Sequence, residues 1–345
     1  MIPIQNIYYM LSYAFQVLNE QGYKNIATEQ FNNTGELMAA ILEKGIAIQL
    51  KRGLGKEYIL QTEALSSLRG KIDIAESIKT QSMLRKQLIC TYDEFSVNSI
   101  MNRIIKSKVE LLLRSNISKQ RKKNLRKLMV YFSEVDFIDL YTVNWNVQYN
   151  RNNQTYHMLI SICYLVVKGL LQTQSNGHTE LMDFLDEQRM CRLYEKFILE
   201  YYRKEFKNQF TANASQIPWQ LDNEENSMLP VMQSDIMLQS GEKVLIIDAK
   251  YYEHSTQVQF DKHTLHSGNL YQIFTYVKNK EYELREKDHT VSGMLLYAKT
   301  DEEIYPNNVY QMSGNQITVR TLDLNLPFDE IAGQLNTIAK THFDL

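Results

Sequence analysis

The sequence predicts an α/β protein in which a mixed α+β N-terminal domain precedes a C-terminal domain with a mixed central sheet flanked by helices. The chain has 345 residues, 44% of them hydrophobic and 23% charged, which suits two domains with their own cores. Residues 144–155 are polar and lack hydrophobic periodicity, so we expect domains at 1–150 and 151–345. In the second half a helix, two strands, a helix and a further strand follow one another, which is the order of an α/β core.

The first half mixes helical and strand patterns. Apolar side chains in residues 98–114 recur at helical spacing, and Asn98 or Ser99 is a suitable N-cap. Short segments with strand character lie between the helical ones. We predict helices at 4–19, 36–50, 98–114 and 119–132, and strands at 57–62, 70–75 and 87–95.

The second half has clearer patterns. Residues 190–207 form a long, aromatic-rich helical segment, and Ser240 and Gly241 predict a tight turn between two strands. The order of predicted elements is a helix at 156–172, a loop at 173–179, a helix at 190–207, a loop at 221–229, strands at 231–239 and 243–251, a helix at 269–283, strands at 291–298 and 316–322, and a helix at 327–341.

Composition excludes several classes of protein. The formal net charge is −2, so any nucleic-acid contact must come from a local patch. The cysteines lie far apart and form no CxxC pair, which argues against a disulfide framework or a cysteine zinc site. The apolar N-terminus lacks the features of a signal peptide and is too polar for a membrane span, so we expect a cytoplasmic protein.

One tract is strongly basic. Residues 114–127 carry seven basic residues and no acidic one. A solvated helix face and turn would explain this composition. Contact with phosphates or with an acidic partner is the alternative explanation.

The residues with chemical potential are Asp235, Asp248 and Lys250. Asp248 and Lys250 follow the apolar run Val244–Ile247, and alternation along a strand places both on one face. Asp235 begins the preceding strand, so an antiparallel pairing brings the two carboxylates together. Two converging carboxylates repel each other unless a cation lies between them, and Mg²⁺ binds few carboxylates together with waters and phosphate oxygens. With a neighbouring lysine, this set fits metal-assisted hydrolysis of a phosphodiester.

Each of these residues has a structural alternative. Asp235, Asp248 and Lys250 could be the charged ends of an exposed hairpin. Glu195, on the preceding helix, could be a further metal ligand or an ordinary surface acid. Gln272 and Tyr276 are spaced i, i+4, so one helical face could aim both at the site or pack both into the core.

Several segments together resemble the McrC family, the nuclease subunits of McrBC modification-dependent restriction systems. The opening IPIQNIYYMLSYAF is similar to the N-terminal signature of that family, and the nuclease part of the family has the PD-(D/E)xK fold. This chain departs from the wider superfamily in having Asp-Ala-Lys where Glu-x-Lys is more frequent, and Ser234 where the proline stands. The other matching segments are NRIIKS at 102–107, LYEKF at 193–197, SDI at 234–236, DAKYY at 248–252 and HSGNLYQIFTY at 266–276.

The resemblance implies a type IV restriction endonuclease subunit that hydrolyses phosphodiester bonds with Mg²⁺ as cofactor. It implies that Asp235, Asp248, Lys250 and Gln272 are the catalytic residues. It also implies that Asp235, Asp248, the Ala249 carbonyl and Glu195 are the ligands of the metal.

The resemblance further implies partners. These are a hexameric McrB-like AAA+ GTPase and double-stranded DNA carrying methylcytosine, with cleavage where two complexes meet. Residues 1–150 would dock on the motor and stimulate its GTPase, whereas 151–345 would cut DNA. The basic tract 114–127 would contact the motor or the DNA. The alternative function is a mainly non-catalytic assembly factor that activates the partner GTPase.

Overall fold

The structure is a computed structural model of the full chain. It describes residues 2–345 apart from 20–22, 24–25, 27–28, 30, 32, 150–152, 172–186, 224–227, 253–256, 260–261 and 300–304. The predicted loop at 173–179 and part of the one at 221–229 therefore lie outside the described residues.

The chain divides into two compact units. One consists of Met1–Glu20 and Phe184–Leu345, here called the sheet unit, and the other of Gln21–Asp183, here called the middle unit. This differs in two places from the expected division at 1–150 and 151–345. Helix α1 (Ile4–Ala14) belongs to the sheet unit, and helix α6 (Gln154–Leu171) belongs to the middle unit. The reason is packing, because each helix buries its apolar side against helices of the unit that it joins.

The sheet unit contains a six-stranded mixed sheet, which confirms the predicted fold class. Strand β8 is central, running parallel to β11 and antiparallel to β7. Residues Val244–Ala249 of β8 are all buried, as expected for a strand covered on both faces. The order is β12-β13-β11-β8-β7-β4, formed by β4 (Thr211–Asn213), β7 (Ile236–Ser240), β8 (Lys243–Lys250), β11 (Thr290–Ala298), β12 (Asn308–Met312) and β13 (Asn315–Leu322).

Short strand pairs accompany the sheet. Strands β5 (Gln216–Ile217) and β6 (Met232–Gln233) pair with each other, as do β9 (Gln257–Gln259) and β10 (Lys262–Thr264). The predicted strand at 231–239 is thus two strands, β6 and β7, in different sheets. The interruption occurs because Ser234 N–H donates to the Ser215 carbonyl, 3.0 Å away, rather than to the six-stranded sheet.

Helices cover the six-stranded sheet. They are α7 (Glu187–Glu205), α8 (Ser267–Glu283) and α9 (Phe328–Phe343). Helix α1 packs on α7, where the Tyr13 ring lies 5.8 Å from Phe197 and 5.2 Å from Tyr201. Helix α8 approaches β11 closely at Gly293, where a Cβ atom would lie 2.8 Å from Ile273 Cγ1. The absence of a side chain at Gly293 therefore sets the distance between α8 and the sheet.

The middle unit combines helices with a small antiparallel sheet of order β1-β3-β2. Helix α6 packs on α2 and α4, and the buried Tyr156 hydroxyl donates to Asn102 Oδ1 of α4 at 2.6 Å. The side chain of Ser99 accepts from Asn102 N–H, which confirms one of the two predicted N-caps. The elements are α2 (Thr34–Arg52), β1 (Glu57–Leu65), β2 (Lys71–Asp73), α3 (Ile74–Lys79), β3 (Leu88–Ser96), α4 (Ile100–Arg114), α5 (Lys119–Met129) and α6.

Two general properties follow from the structure. Within the described part of the chain, no helix is long and apolar enough to cross a membrane.

Cys90, Cys163 and Cys191 are free thiols. Burial raises the pKa of Cys163 to about 12, so this side chain packs as a small apolar group.

Candidate functional site

The hairpin of β7 and β8 brings the two predicted carboxylates to the same end of the sheet. Gly241 in its turn has φ +59°, a backbone conformation that glycine adopts without steric cost. The strands pair Ile236 with Ile247. Continuing this register by one residue places Asp235 opposite Asp248.

Asp248 is a buried acid. Its exposed fraction is 1%, and burial raises its pKa above the ordinary value, with the Lys250 cation opposing that shift and the Asp235 charge adding to it. Among the described residues, neither carboxylate oxygen of Asp248 accepts a hydrogen bond of good geometry. The side chain therefore keeps lone pairs that a cation could use.

Lys250 lies beside this acid. Its Nζ is 2.9 Å from Asp248 Oδ2. Burial alone would lower the pKa of Lys250, but Asp248 and Asp235 together raise it above the ordinary value. Lys250 is therefore a cation in this arrangement.

Helix α8 holds Lys250 from the other side. Lys250 Nζ lies 3.4 Å from Gln272 Oε1, and Gln272 Nε2 donates to the Tyr276 hydroxyl at 2.9 Å. Tyr276 is 8% exposed. The chain of polar contacts Asp248, Lys250, Gln272 and Tyr276 thus connects the end of β8 to one face of α8, and Tyr276 both packs in the core and orients Gln272.

Asp235 and Ala249 contact each other directly. Ala249 N–H donates to Asp235 Oδ2 at 3.0 Å, which fixes the Asp235 carboxylate at the end of β8. Glu195 of α7 accepts a hydrogen bond from the Cys191 thiol, with Sγ and Oε1 3.1 Å apart. Burial and the charge of Asp235 raise the pKa of Glu195. Glu195 therefore lies within electrostatic reach of Asp235.

Two residues near the site were not predicted. Asn269 Nδ2 donates to the Tyr297 hydroxyl at 2.9 Å, and Tyr297 is paired with Lys250 in the parallel register of β11 and β8. Asn269 precedes Gln272 and Tyr276 by three and seven residues on α8, so helical spacing could have revealed it. Tyr297 could not be found this way, because its strand follows β8 only after a long connection.

The oxygen donors at this site match the needs of a divalent metal. Mg²⁺ takes one or two carboxylates and retains several waters. Asp235 and Asp248 supply two carboxylates; Asp248 Oδ2 lies 2.9 Å from Lys250 Nζ, and among the described residues Asp248 Oδ1 has no hydrogen-bond partner. Within the described residues no group of three or more His, Cys, Asp or Glu side chains surrounds a single point. The pair Asp235 and Asp248 therefore fits Mg²⁺ with a largely water-completed shell, whereas Glu195 does not form a third member of a compact cluster.

The fold and site define an α/β protein with a mixed sheet, in which an acid precedes one strand and Asp-x-Lys ends its antiparallel neighbour. Residues 5–298 match the model of the family described as McrBC 5-methylcytosine restriction system component. The chain belongs to this family. The resemblance found in the sequence motifs is thereby confirmed.

The chain is also similar to individual known proteins. The chain is 29% identical over 329 residues to the type IV methyl-directed restriction enzyme EcoKMcrBC of Escherichia coli strain K12, covering 94% of this chain and 93% of that protein. It is also similar to a solved half-complex of Thermococcus gammatolerans McrB AAA+ hexamers with bound McrC, at 18% identity and a TM-score of 0.46, covering 97% of this chain and 76% of the other. A cryo-EM structure of the Thermococcus gammatolerans McrBC complex matches at 20% identity and a TM-score of 0.42, covering 59% of each chain.

Proposed function

We propose that this restriction-system component is its nuclease subunit, a Mg²⁺-dependent endonuclease that cuts double-stranded DNA. The observation that carries the proposal is the buried Asp248, 1% exposed, with the Lys250 ammonium 2.9 Å from its carboxylate. Burying a charged pair is costly, and a fold gains little stability from it. The Asp248–Lys250 pair lies at a strand end beside a second carboxylate, and this position supports a catalytic role.

The roles follow from the contacts. Asp235 and Asp248 would hold Mg²⁺, the Ala249 carbonyl is a further proposed ligand, and Glu195 would contribute through water. A Mg²⁺ ion held there would supply Lewis-acid polarisation of the scissile phosphate and would favour deprotonation of the attacking water. Lys250, a cation held by Asp248 and Gln272, stabilises negative charge that develops on the phosphate.

The proposed partners come from the family. The relatives include a methyl-directed restriction enzyme and a complex in which McrC is bound to McrB AAA+ hexamers. We extend these properties to this chain: it binds a hexameric AAA+ GTPase, acts on methylcytosine-containing DNA, pairs two complexes for cleavage and works in the cytoplasm. The middle unit is the proposed docking part and stimulates the GTPase.

The decisive experiment is cleavage of methylated and unmethylated plasmid by this chain with its AAA+ partner, GTP and Mg²⁺. Asp248→Ala and Lys250→Ala should reduce cleavage at least about a hundredfold, because each removes charge stabilisation of the transition state. Lys340→Ala, an exposed lysine of the same unit, is the matched control and should cut normally. EDTA should abolish cleavage by the wild type.

Stimulation of the partner GTPase, measured in the same samples, reports whether the variants are folded and assembled. Normal stimulation with lost cleavage supports the proposed roles. Stimulation without any cleavage by the wild type would instead favour the alternative, an assembly factor that activates the GTPase. Equal cutting of both plasmids would keep the nuclease and contradict methylation dependence.

A further inference from the structure

The basic tract folds into a helix with two different faces. Helix α5 (Lys119–Met129) buries Leu125 completely. Arg121 and Asn124 lie on the same side as Leu125, and both bind Glu43 of α2 at 2.9 Å. This side of α5 is structural, and it uses one of the basic residues of the tract.

The other basic residues of α5 lie together on the opposite face. Their spacing is i, i+3, i+4, i+7 and i+8, which is a single helical stripe. All but Lys122 are exposed, and Lys122 is partly exposed. Among the described residues none of them forms an ion pair. The stripe consists of Lys119, Lys122, Lys123, Arg126 and Lys127.

This stripe is unfavourable for the helix itself. Lys119, Lys123 and Lys127 are like charges at i, i+4, which repel each other. The first turn contains basic residues and no acidic one, although the positive end of the helix dipole favours acids there. Arg126 and Lys127 lie in the last turn, where the helix dipole favours cations, but local stability does not explain the lysines that precede them. An external anion would explain the stripe as a whole.

We propose that this basic face of α5 binds the phosphate backbone of double-stranded DNA, as a second DNA contact in the middle unit. The five cations extend over eight residues, about 12 Å of helix. Each strand of a duplex carries a phosphate about every 3.4 Å along its axis, so the stripe can face several phosphates at once. Phosphate contacts of this kind position DNA without reading its sequence.

The composition of the face favours DNA over an acidic protein. Protein interfaces are depleted in lysine at their core and enriched in aromatic residues and methionine. The stripe has four lysines and one arginine, with no aromatic residue among its five members. Long lysine side chains without fixed partners suit a mobile, sequence-independent polyanion.

The test measures binding of the full chain to a short fluorescein-labelled duplex by anisotropy, in EDTA so that no cleavage occurs. The variant is Lys123→Gln, Arg126→Gln and Lys127→Gln combined. It should weaken binding about tenfold or more, and it should reduce the slope of log affinity against log salt by about 3 between about 50 and 200 mM. Its melting temperature should be unchanged or higher, because like-charge repulsion is relieved.

The matched control is Lys51→Gln, Lys71→Gln and Arg85→Gln, which removes three charges from exposed positions of the same unit. It should change the salt slope by less than about 1. Equal loss in both triple variants would mean a general charge effect and would overturn the proposal. Failure of the wild-type chain to bind the duplex would also overturn the proposal, as would unchanged binding by the α5 variant.

A further arm titrates each protein with the AAA+ partner. If the α5 variant loses association with the AAA+ partner but binds DNA normally, the basic face of α5 binds an acidic protein, and the DNA proposal is overturned. The inference rests on DNA being the substrate, but its failure is distinguishable from failure of the nuclease assignment. A cleavage defect in Asp248→Ala and a duplex-binding defect in the α5 variant are measured in different assays, so they are separate results.

Discussion

Arg121 of α5 lies among three carboxylates. Its guanidinium contacts Glu29, reaches Glu36 at 3.5 Å and Glu43 at 2.9 Å. The Arg121 side chain is 14% exposed, so these ion pairs are only partly screened by water.

We expect Arg121→Gln to lower the free energy of unfolding by about 2 kcal/mol, between the effects of breaking exposed and buried pairs. Removing the cation leaves three neighbouring acids that repel one another. Urea denaturation measures the effect. The control is Arg114→Gln. Arg114 pairs with Glu110, and the two side chains are 71% and 40% exposed, so this substitution should lower the free energy of unfolding by less than about 0.5 kcal/mol. Equal costs would mean that the carboxylate cluster does not depend on Arg121.

Sequence patterns predict single residues well only where the geometry is local. Asp235 and Asp248 could be paired in advance because a tight turn fixes the register between them. The sequence does not separate the paired basic residues of the tract from the exposed ones, because only the fold shows that Arg121 contacts Glu43 while Lys123 is exposed. The partner of Lys250 in β11, Tyr297, likewise depends on a parallel pairing that no local rule specifies.

At the scale of elements, the position of α8 depends on a close approach to the sheet. A Cβ at Gly293 would meet Ile273, Ile317 and Val277, all at less than 3 Å. The same helix carries Gln272, which contacts Lys250. A change in the distance between α8 and β11 is therefore transmitted to the candidate site.

We expect Gly293→Ala to destabilise the protein by about 1–3 kcal/mol through overpacking and to slow cleavage by displacing Gln272. Gly333→Ala is the matched control, since among the described residues no atom apart from its chain neighbours and the adjoining helix backbone lies within 4 Å of a Cβ built there in α9. That substitution should stabilise the protein by up to about 1 kcal/mol, as alanine favours a helix over glycine. Thermal unfolding and cleavage rates measure both variants, and a neutral Gly293→Ala would show that α8 can move freely.

Most elements of the sheet unit could be predicted because their periodicity is strong. Strand β8 is a continuous apolar run, and α7 and α8 have helical spacing. The break between β6 and β7 was missed, because residues 231–239 alternate like one strand while the hydrogen bond from Ser234 to Ser215 comes from a distant segment. Strand β12 was also missed, since its mostly exposed residues give no burial pattern.

For the whole molecule, the important result is that the sheet unit is discontinuous in sequence. Helix α1 completes it, with Met10 and Leu11 at 1% and 0% exposure. The Tyr9 ring stacks on Phe328 of α9 with centroids 4.5 Å apart. The sequence pattern predicts α1 to be part of the N-terminal domain. An amphipathic pattern indicates that one face of a helix is buried, but it does not identify the distant helices against which that face packs.

This arrangement predicts which unit a substitution in α1 destabilises. Asn6 is 4% exposed, and its Nδ2 donates to the carbonyls of Leu324 and Leu326, each at 2.8 Å. Asn6→Ala leaves both acceptors without this donor, so we expect it to destabilise the sheet unit by about 2–4 kcal/mol. Deleting residues 1–20 should have a larger effect, since it removes several buried side chains together.

Hydrogen–deuterium exchange with mass spectrometry locates the loss. In Asn6→Ala, protection should fall in α7, α9 and β13, within Phe184–Leu345, while peptides from Gln21–Asp183 keep their wild-type exchange, because local opening follows the contacts of each unit. Asn33→Ala, which removes the N-cap of α2, is the reciprocal control and should affect only the middle unit. Lost protection in Gln21–Asp183 after Asn6→Ala would instead support a division near residue 150. Because α1 belongs to the sheet unit, removing residues 1–150 should damage the candidate site, so only substitutions within Gln21–Asp183 can separate GTPase stimulation from cleavage.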